Sequence, residues 1–405
     1  MNLKVSAPKG KLEGNFKITG SKSESNRALI LQVLFPSIEL GNLSNSDDTQ
    51  VLRKALKKNN GTVDIHHAGT AMRFLTAYFS VQEGAEVILT GSQRMQERPV
   101  QLLVEALRQL GAEIEYVKEE GCPPLKISGK SIKESSVSLK ANISSQYISA
   151  LMLIAPSLPE GLEINLEGPV TSTPYINMTL DMMKFFGIEA NFKNQTITVE
   201  PKKEVAAKKL EIESDWSSAS YFYSLAAISE SANIKLSSYR KDSLQGDSEV
   251  AAIYRELGVV TEYGEHTVQL TKEGHKRPKK LHLDLKNTPD LAQTIAVTCL
   301  ALGVECELKG LHTLKIKETD RLQALKNEME KFGAKVIITN DSLHLKPIEN
   351  LSSGVTVATY NDHRMAMAFA PLALRIPLEI EDAGVVSKSY PEFWEHLEKL
   401  GFTTA

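Results

Sequence analysis

Two short stretches, Lys317-Glu318-Thr319-Asp320-Arg321 and Asn361-Asp362-His363-Arg364, crowd cations and carboxylates beside helix-like runs. Lysine and arginine so placed can grip a phosphate or carboxylate, arginine through two parallel hydrogen bonds, and an adjacent acid can move a proton. Taken singly, either stretch reads equally well as a solvated charged face. Four more clusters of anion-binding groups accompany them: Gly20-Ser21-Lys22-Ser23 with Arg27, Ala68-Gly69-Thr70-Ala71-Met72-Arg73, Glu97-Arg98-Pro99 and Ser144-Ser145-Gln146. On a chain whose formal net charge is −3, this points to one concentrated site for a small, multiply anionic substrate.

Each cluster has a plainer reading. Gly20 to Arg27 precedes an apolar run, so it could be only a capped helix with surface cations; it lacks the spacing of a nucleotide-binding P-loop. His66 and His67 invite a metal, but adjacent side chains are expected to point apart and no acidic or cysteine ligand follows at metal spacing. Arg98 sits directly before Pro99, read as the first residue of a helix. Ser144-Ser145-Gln146 and the lone Asp290 both fit ordinary helix caps. His363 is as consistent with a structural imidazole as with a proton shuttle. No nucleophile elbow, zinc-protease motif or dinucleotide fingerprint is present, so no metal and no organic cofactor is expected.

Bulk properties narrow the class. The 405 residues are 42% hydrophobic and 24% charged, ordinary for a globular protein with two or three domains. The net charge argues against a protein that coats nucleic acid. The chain has no apolar window near the roughly 18 residues of a membrane span, and its amino terminus reads as a strand rather than a signal peptide. Cys122, Cys299 and Cys306 form no pairing framework; the latter two read as small core residues, and a cytoplasmic location is expected.

The elements that must position these clusters repeat. An amphipathic helix, then Leu-Gly or Phe-Gly, then an alternating strand recurs at Gly111, Gly187, Gly258 and Gly333, spaced 76, 71 and 75 residues apart. Weaker copies fall at Gly61 and Gly401. Each glycine stands where a helix C-cap belongs. The helices are expected over 100–110, 176–186, 248–257 and 322–332. A hairpin follows the glycine, with turns at Lys193-Asn194-Gln195 and Asn340-Asp341-Ser342. A strand precedes each helix (86–89, 163–166, 306–308 and 378–380), and the charged clusters occupy the strand-to-helix loops, where helix N-termini favour anions. The reading is an α/β protein of six helix-and-strand units, three per lobe, with a lobe boundary near Glu213-Ser214-Asp215 and the unit at Gly61 cut short by one hairpin.

Together the motifs Gly-Ser-Lys-Ser-x-Ser-Asn-Arg, Ala-Gly-Thr-Ala-Met-Arg, Ser-Ser-Gln, Lys-Glu-Thr-Asp-Arg and Asn-Asp-His-Arg-Met-Ala-Met resemble the 5-enolpyruvylshikimate-3-phosphate synthase family of enolpyruvyl transferases, from the first strand to Lys388. The resemblance implies a two-domain inverse α/β barrel-like fold, residues 1–20 with 214–405 forming one lobe and 21–213 the other, the active site in the cleft between. It implies enolpyruvyl transfer from phosphoenolpyruvate to the 5-hydroxyl of shikimate 3-phosphate, through a tetrahedral intermediate and with release of phosphate. Lys22, Ser23, Arg27, Ser144, Ser145, Gln146, Ser172, Asp290 and Lys317 are then expected to hold shikimate 3-phosphate. Lys22, Gly69, Arg98, Gln146, Arg321, Arg364 and Lys388 are expected to hold phosphoenolpyruvate. Asp290 would take the proton from the hydroxyl and Glu318, with Lys22 assisting, would deliver one to the methylene carbon. No cofactor, no nucleic-acid or membrane partner and a monomer are implied, and the small Gly69 implies sensitivity to glyphosate.

Three features depart from the family: His67 and Thr313 stand where asparagine is usual, and the hairpin before His66 is shortened. The sister transferase acting on UDP-N-acetylglucosamine is disfavoured because no cysteine lies between Gly91 and Arg98. An RNA 3′-end cyclase of similar repeat architecture would need a histidine nucleophile and a basic groove. A non-catalytic anion binder would not need Asp290 and Glu318.

Overall fold

The structure, a computed structural model, describes residues 2–140, 145–168, 170, 173–274 and 277–405. The chain divides into two compact units, Gly20–Ile212 and a discontinuous one formed by the N-terminal segment through Thr19 with Glu213–Ala405. Each encloses its own apolar core.

One sheet pattern recurs. In the sheet built from Ser136–Lys140, Leu162–Glu167, Thr196–Val199 and Ala190–Lys193, the first two strands are parallel and the rest form an antiparallel hairpin. Asn60–Asp64, Glu86–Thr90, Leu125–Ser128 and Glu113–Tyr116 repeat it. So do Leu12–Lys17 with Ala232–Ser237 and the Val259–Gly264/Thr267–Lys272 hairpin, and Lys280–Asp284 with Glu305–Lys309 and its hairpin. In a fifth sheet, Thr356–Val357 and Leu378–Ile380 are parallel, and Leu3–Ser6 and Thr403–Thr404 replace the hairpin. The sixth consists of Ile38–Gly41 and Lys208–Glu211 alone; this is the shortened unit.

Two kinds of helix separate the strands. Between the parallel pair runs a helix that is apolar all round and therefore buried: every residue of Gly69–Ser80 is buried, as is every residue of Ala292–Leu302 except the last. Ser145–Ile154 packs against Gly69–Ser80 in one unit, and Trp216–Ile228 and His363–Phe369 pack against Ala292–Leu302 in the other. The second helix of each repeat is amphipathic and covers the sheet, as Gln101–Gln109 does by burying Leu103, Val104, Ala106 and Leu107. The parallel strand ahead of a buried helix ends at the helix N-terminus, so the loop between them is where a charged cluster can be exposed.

The repeat's glycines end the amphipathic helices. Gly111 has φ 97° and Gly187 φ 73°. Gly187 N–H donates to Lys184 O at 3.0 Å and Ile188 N–H to Met183 O at 2.9 Å, the paired bonds that close a helix through a left-handed residue. Gly61 behaves differently. It lies inside the strand Asn60–Asp64, six residues beyond the end of Asp47–Ala55, so it opens the next sheet rather than capping a helix. The turn at Asn194-Gln195 has both residues at positive φ, the conformation a two-residue hairpin loop requires. The expected helix over 248–257 is a 3-10 turn, Gly246–Glu249, followed by Val250–Glu256.

A Cβ at Gly187 would meet nothing within 4 Å, so a substitution there isolates the backbone cost. Gly187→Ala is expected to lower stability by about 1–2 kcal/mol and Gly187→Asn by less. Urea unfolding checks this, and equal stability of all three chains would contradict it.

Candidate functional site

In the discontinuous unit three strand-to-helix junctions bring their charges together. Asp290 lies in the 3-10 turn Pro289–Leu291 at the head of Ala292–Leu302. Thr288 holds the N-cap position of that turn and Leu291 that of the helix, so Asp290 is not the cap residue of either. Arg321 is the first residue of Arg321–Lys331, capped by Asp320, whose Oδ1 accepts from Gln323 N–H at 3.1 Å. Arg364 is the second residue of His363–Phe369, capped by Asp362.

Arg321 is the hub. Its Nε donates to Asp362 Oδ2 at 2.6 Å, Nη1 to Asp290 Oδ1 at 2.9 Å and Nη2 to Glu318 Oε2 at 2.8 Å. The side chains of Arg321 and Asp362 are 2% and 0% exposed, so neither charge could be buried without the other. Asp362 Oδ1 also accepts from the Arg364 N–H at 2.9 Å. The second oxygen of Asp290 accepts from Arg364 Nη2 at 2.9 Å, and Lys317 Nζ stands 3.7 Å from the first. Lys388, at the end of the 3-10 turn Ala383–Lys388, donates to Asn361 O at 2.6 Å.

The electrostatics follow. Burial opposes ionisation of Asp290, but Arg364, Lys317 and Arg321 outweigh it and hold the carboxyl well below the usual carboxylate range. Asp290 is thus ionised throughout the neutral range, and whatever it does as a base rests on geometry rather than on a raised pKa. For Arg364, burial is outweighed by Asp290, and its pKa lies above the usual guanidinium value. Lys317 is pulled up by Asp290, yet burial and the neighbouring Arg321 win and its pKa is lowered.

Two further acids here carry no signal in the sequence. Asp247, in the turn Gly246–Glu249, is buried, and burial and then Asp290 push its carboxyl up to about 7. Glu328, fully buried on Arg321–Lys331, accepts from Lys331 Nζ at 2.6 Å, Ala358 N–H at 2.9 Å and Tyr360 Oη at 2.7 Å. It holds the loop in which Tyr360 and Asn361 take positive φ just ahead of Arg364. Neither stands out in the sequence, because Ala358 and Tyr360 for Glu328 and Asp290 for Asp247 lie tens of residues away.

The other unit carries the remaining clusters. Ser21 caps Lys22–Leu34. Lys22 and Ser23 are half-buried, and among the described residues Lys22 makes no ion pair. Arg27 is 2% exposed: its Nε donates to Thr179 Oγ1 at 2.8 Å, Nη1 to Ser23 O at 2.8 Å, and Nη2 to Ser149 Oγ at 3.0 Å and Tyr175 O at 3.4 Å. The guanidinium has five donors, so one Nη1 N–H remains for a ligand among the described residues. Burial draws its pKa down to about 10.

Arg73 donates to Gly69 O at 2.8 Å and Pro99 O at 3.4 Å, and so buttresses the Gly69 and Arg98 loops. Arg98 approaches Gly69 closely enough that a Cβ there would lie 2.6 Å from Arg98 Nη1. Pro99 does not open the helix: Val100 is the N-cap and Gln101 the first residue, because Val100 N–H is drawn to Gly121 O at 2.9 Å. Gln146 Nε2 donates to Thr70 Oγ1 at 3.3 Å, and Ser145 is the buried first residue of its helix. Ser144 and Ser172 lie outside the described residues.

His66 and His67 do not point apart. With His66 at φ 52° their Nδ1 atoms meet at 2.7 Å, one donating and the other accepting. Among the described residues no group of three His, Cys, Asp or Glu side chains is arranged to hold a metal ion, and no helix is long and apolar enough to cross a membrane.

A family model described as EPSP synthase (3-phosphoshikimate 1-carboxyvinyltransferase) matches residues 51–397. A 3-phosphoshikimate 1-carboxyvinyltransferase of Bacteroides fragilis (strain YCH46) is 49% identical over 99% of this chain and 98% of its own. One from Haemophilus influenzae (strain PittEE) is 36% identical, covering 97% and 98%. Among solved structures, EPSP synthase from Acinetobacter baumannii superposes with a TM-score of 0.80 over 100% of this chain and 99% of that one, at 20% identity, a likeness of fold.

The raised carboxyl of Asp247 has a consequence for stability. The folded chain holds a proton that the unfolded aspartate releases near pH 4, so this group's contribution is fully present below about pH 4 and is lost as pH rises to about 7. Asp247→Asn is expected to flatten the melting temperature's fall across that window. Parallel curves for the two proteins in calorimetry at stepped pH would refute the assignment.

Proposed function

The chain belongs to the EPSP synthase family, and from that we propose that it transfers the enolpyruvyl group of phosphoenolpyruvate to the 5-hydroxyl of shikimate 3-phosphate, releasing phosphate. The observation that carries the reading is the knot of Asp290, Arg321, Arg364 and Lys317 at three helix N-termini, an acid fixed among cations where anionic substrates must be held.

On this reading Arg98, Arg321, Arg364 and Lys388 receive phosphoenolpyruvate, with Gly69 giving its loop close approach and Gln146 adjoining. Lys22, Ser23, Arg27, Ser144, Ser145, Gln146, Ser172 and Lys317 receive shikimate 3-phosphate. Asp290 accepts the proton of the 5-hydroxyl as its oxygen bonds to C2 of phosphoenolpyruvate. The π pair of C2=C3 takes a proton at C3 from Glu318, with Lys22 assisting, to give the tetrahedral intermediate. Glu318, now a carboxylate, then takes a proton from C3, the C–H electrons restore the double bond, and the C2–O bond to phosphate breaks, the departing phosphate taking the proton from Asp290. Because Asp290 is already ionised, no prior deprotonation is needed, and the proton passes as the C–O bond forms. Cations held in place by the Asp290 carboxylate offset the repulsion between two anions with little reorganisation. The chemistry needs no cofactor, a monomer suffices, and three unpaired cysteines suit the reducing cytoplasm.

Phosphate release is expected only when both substrates are present, and Asp290→Ala and Lys22→Ala are each expected to lower kcat/KM by about 10²-fold or more. Turnover with UDP-N-acetylglucosamine in place of shikimate 3-phosphate, or undiminished activity of the variants, would sink the reading. Gly69→Ala, whose new Cβ must displace Arg98, is expected to raise KM for phosphoenolpyruvate about tenfold, roughly one misplaced charge-assisted contact. Glyphosate is expected to inhibit the parent chain; steady-state rates unchanged at millimolar glyphosate would count against it.

A further inference from the structure

Arg364 has one contact that the reaction as described leaves unexplained. Its Nη2 donates not only to Asp290 but also to Ser217 Oγ at 3.3 Å. Ser217, the second residue of Trp216–Ile228, is the one residue of that helix that is not buried, and its hydroxyl donates to Asp247 Oδ2. A hydroxyl has a single proton. Given to Asp247, it leaves only lone pairs facing Arg364, so the serine must act as an acceptor there.

Asp247 has no local task. It caps neither its own 3-10 turn nor the helix Val250–Glu256, since neither N-terminus has a side-chain capping bond. It is nevertheless 5% exposed, a costly place for a carboxyl. The turn beneath it is pinned by Gln245, whose Oε1 accepts from Trp216 N–H at 2.9 Å and whose Nε2 donates to Ser214 O at 2.9 Å. The same side chain therefore ties the Asp247 turn to the start of the Ser217 helix.

We propose that Asp247 is a positioning residue for Arg364, acting through Ser217 to hold the guanidinium beside Asp290 in the orientation that receives phosphoenolpyruvate. The inference rests on the assignment of Arg364 to that substrate and adds two residues to its support. Asp247 acts on binding rather than on the proton transfers, so its loss separates KM from kcat.

Asp247→Asn, Ser217→Ala and the double variant test this by steady-state kinetics with each substrate varied. Asp247→Asn and Ser217→Ala are each expected to raise KM for phosphoenolpyruvate about tenfold, the loss of one hydrogen bond to a charged group, with kcat within about threefold. KM for shikimate 3-phosphate is unmoved, and the double variant is no worse than the worse single one, because both act along one chain of contacts. An unchanged KM for phosphoenolpyruvate, or effects that multiply in the double variant, would overturn the proposal. Should Asp247→Asn fail to fold, Ser217→Ala carries the test, since it removes only a hydroxyl. The Nε–H NMR signal of Arg364 supplies a readout that needs no turnover: it should broaden or shift in both variants, and an unaltered signal counts against the positioning role. A parent chain without transferase activity but with that signal altered would instead reject the substrate assignment alone.

Discussion

The buried pairing of Arg321 with Asp362 is the constraint on which the discontinuous unit's charged site depends. Two full charges at near-zero exposure are tolerable only as a pair with every donor and acceptor engaged. Satisfying them fixes more than two side chains. Asp362 is also the N-cap that starts the helix of Arg364, and the remaining Arg321 donors reach Asp290 and Glu318. One guanidinium thereby sets the relative placement of three loops, and the two acids assigned to proton transfer are held by the same group. Because the protein's own donors and acceptors hold the arrangement, the fold supplies the order that binding would otherwise have to supply.

What allows such a pair to be built is the repeat. A helix that is apolar on nearly all sides cannot be left in water, so such helices gather in the core of each unit and amphipathic helices and sheets enclose them. The loop feeding each buried helix must come from the end of a parallel strand, so it emerges at an equivalent place in every repeat. The polar residues that mark the buried helices confirm the division of labour: Ser220 meets Thr294 at 3.1 Å, and Tyr254 meets Thr298 at 2.8 Å. These are paired hydroxyls that satisfy one another within the core, whereas the charges stay at the helix heads.

Much of this was legible from residue order alone. The Leu-Gly and Phe-Gly signals located the ends of the amphipathic helices because only glycine occupies the left-handed C′ position without strain. The strand over 378–380 falls where it was expected, and strands follow the turns expected at 193–195 and 340–342. The charged loops were visible as dense local clusters. Several readings failed where a distant partner decided the outcome. Gln101 rather than Pro99 is the first helical residue, with Val100, whose N–H goes to Gly121 O, as the cap. His66 and His67 face each other, because His66 takes a left-handed backbone that an alternating-side-chain argument does not allow. Gly61 belongs to a strand, because a parallel partner, Glu86–Thr90, claims it.

Residue order is enough to place the repeat, the apolar helices, the glycine terminators and the set of charged loops, since each rests on interactions within a few residues of one another. Tertiary structure alone decided which charges are spent and which remain available. Arg73 and most of Arg27 bond backbone carbonyls and hydroxyls, while Asp247, in a 3-10 turn, reaches Ser217 beside Arg364 and Glu328, in the second half of its helix, holds the loop ahead of Arg364. Burial and partners contributed from tens to hundreds of residues away set a side chain's charge state and orientation, and no local pattern encodes them.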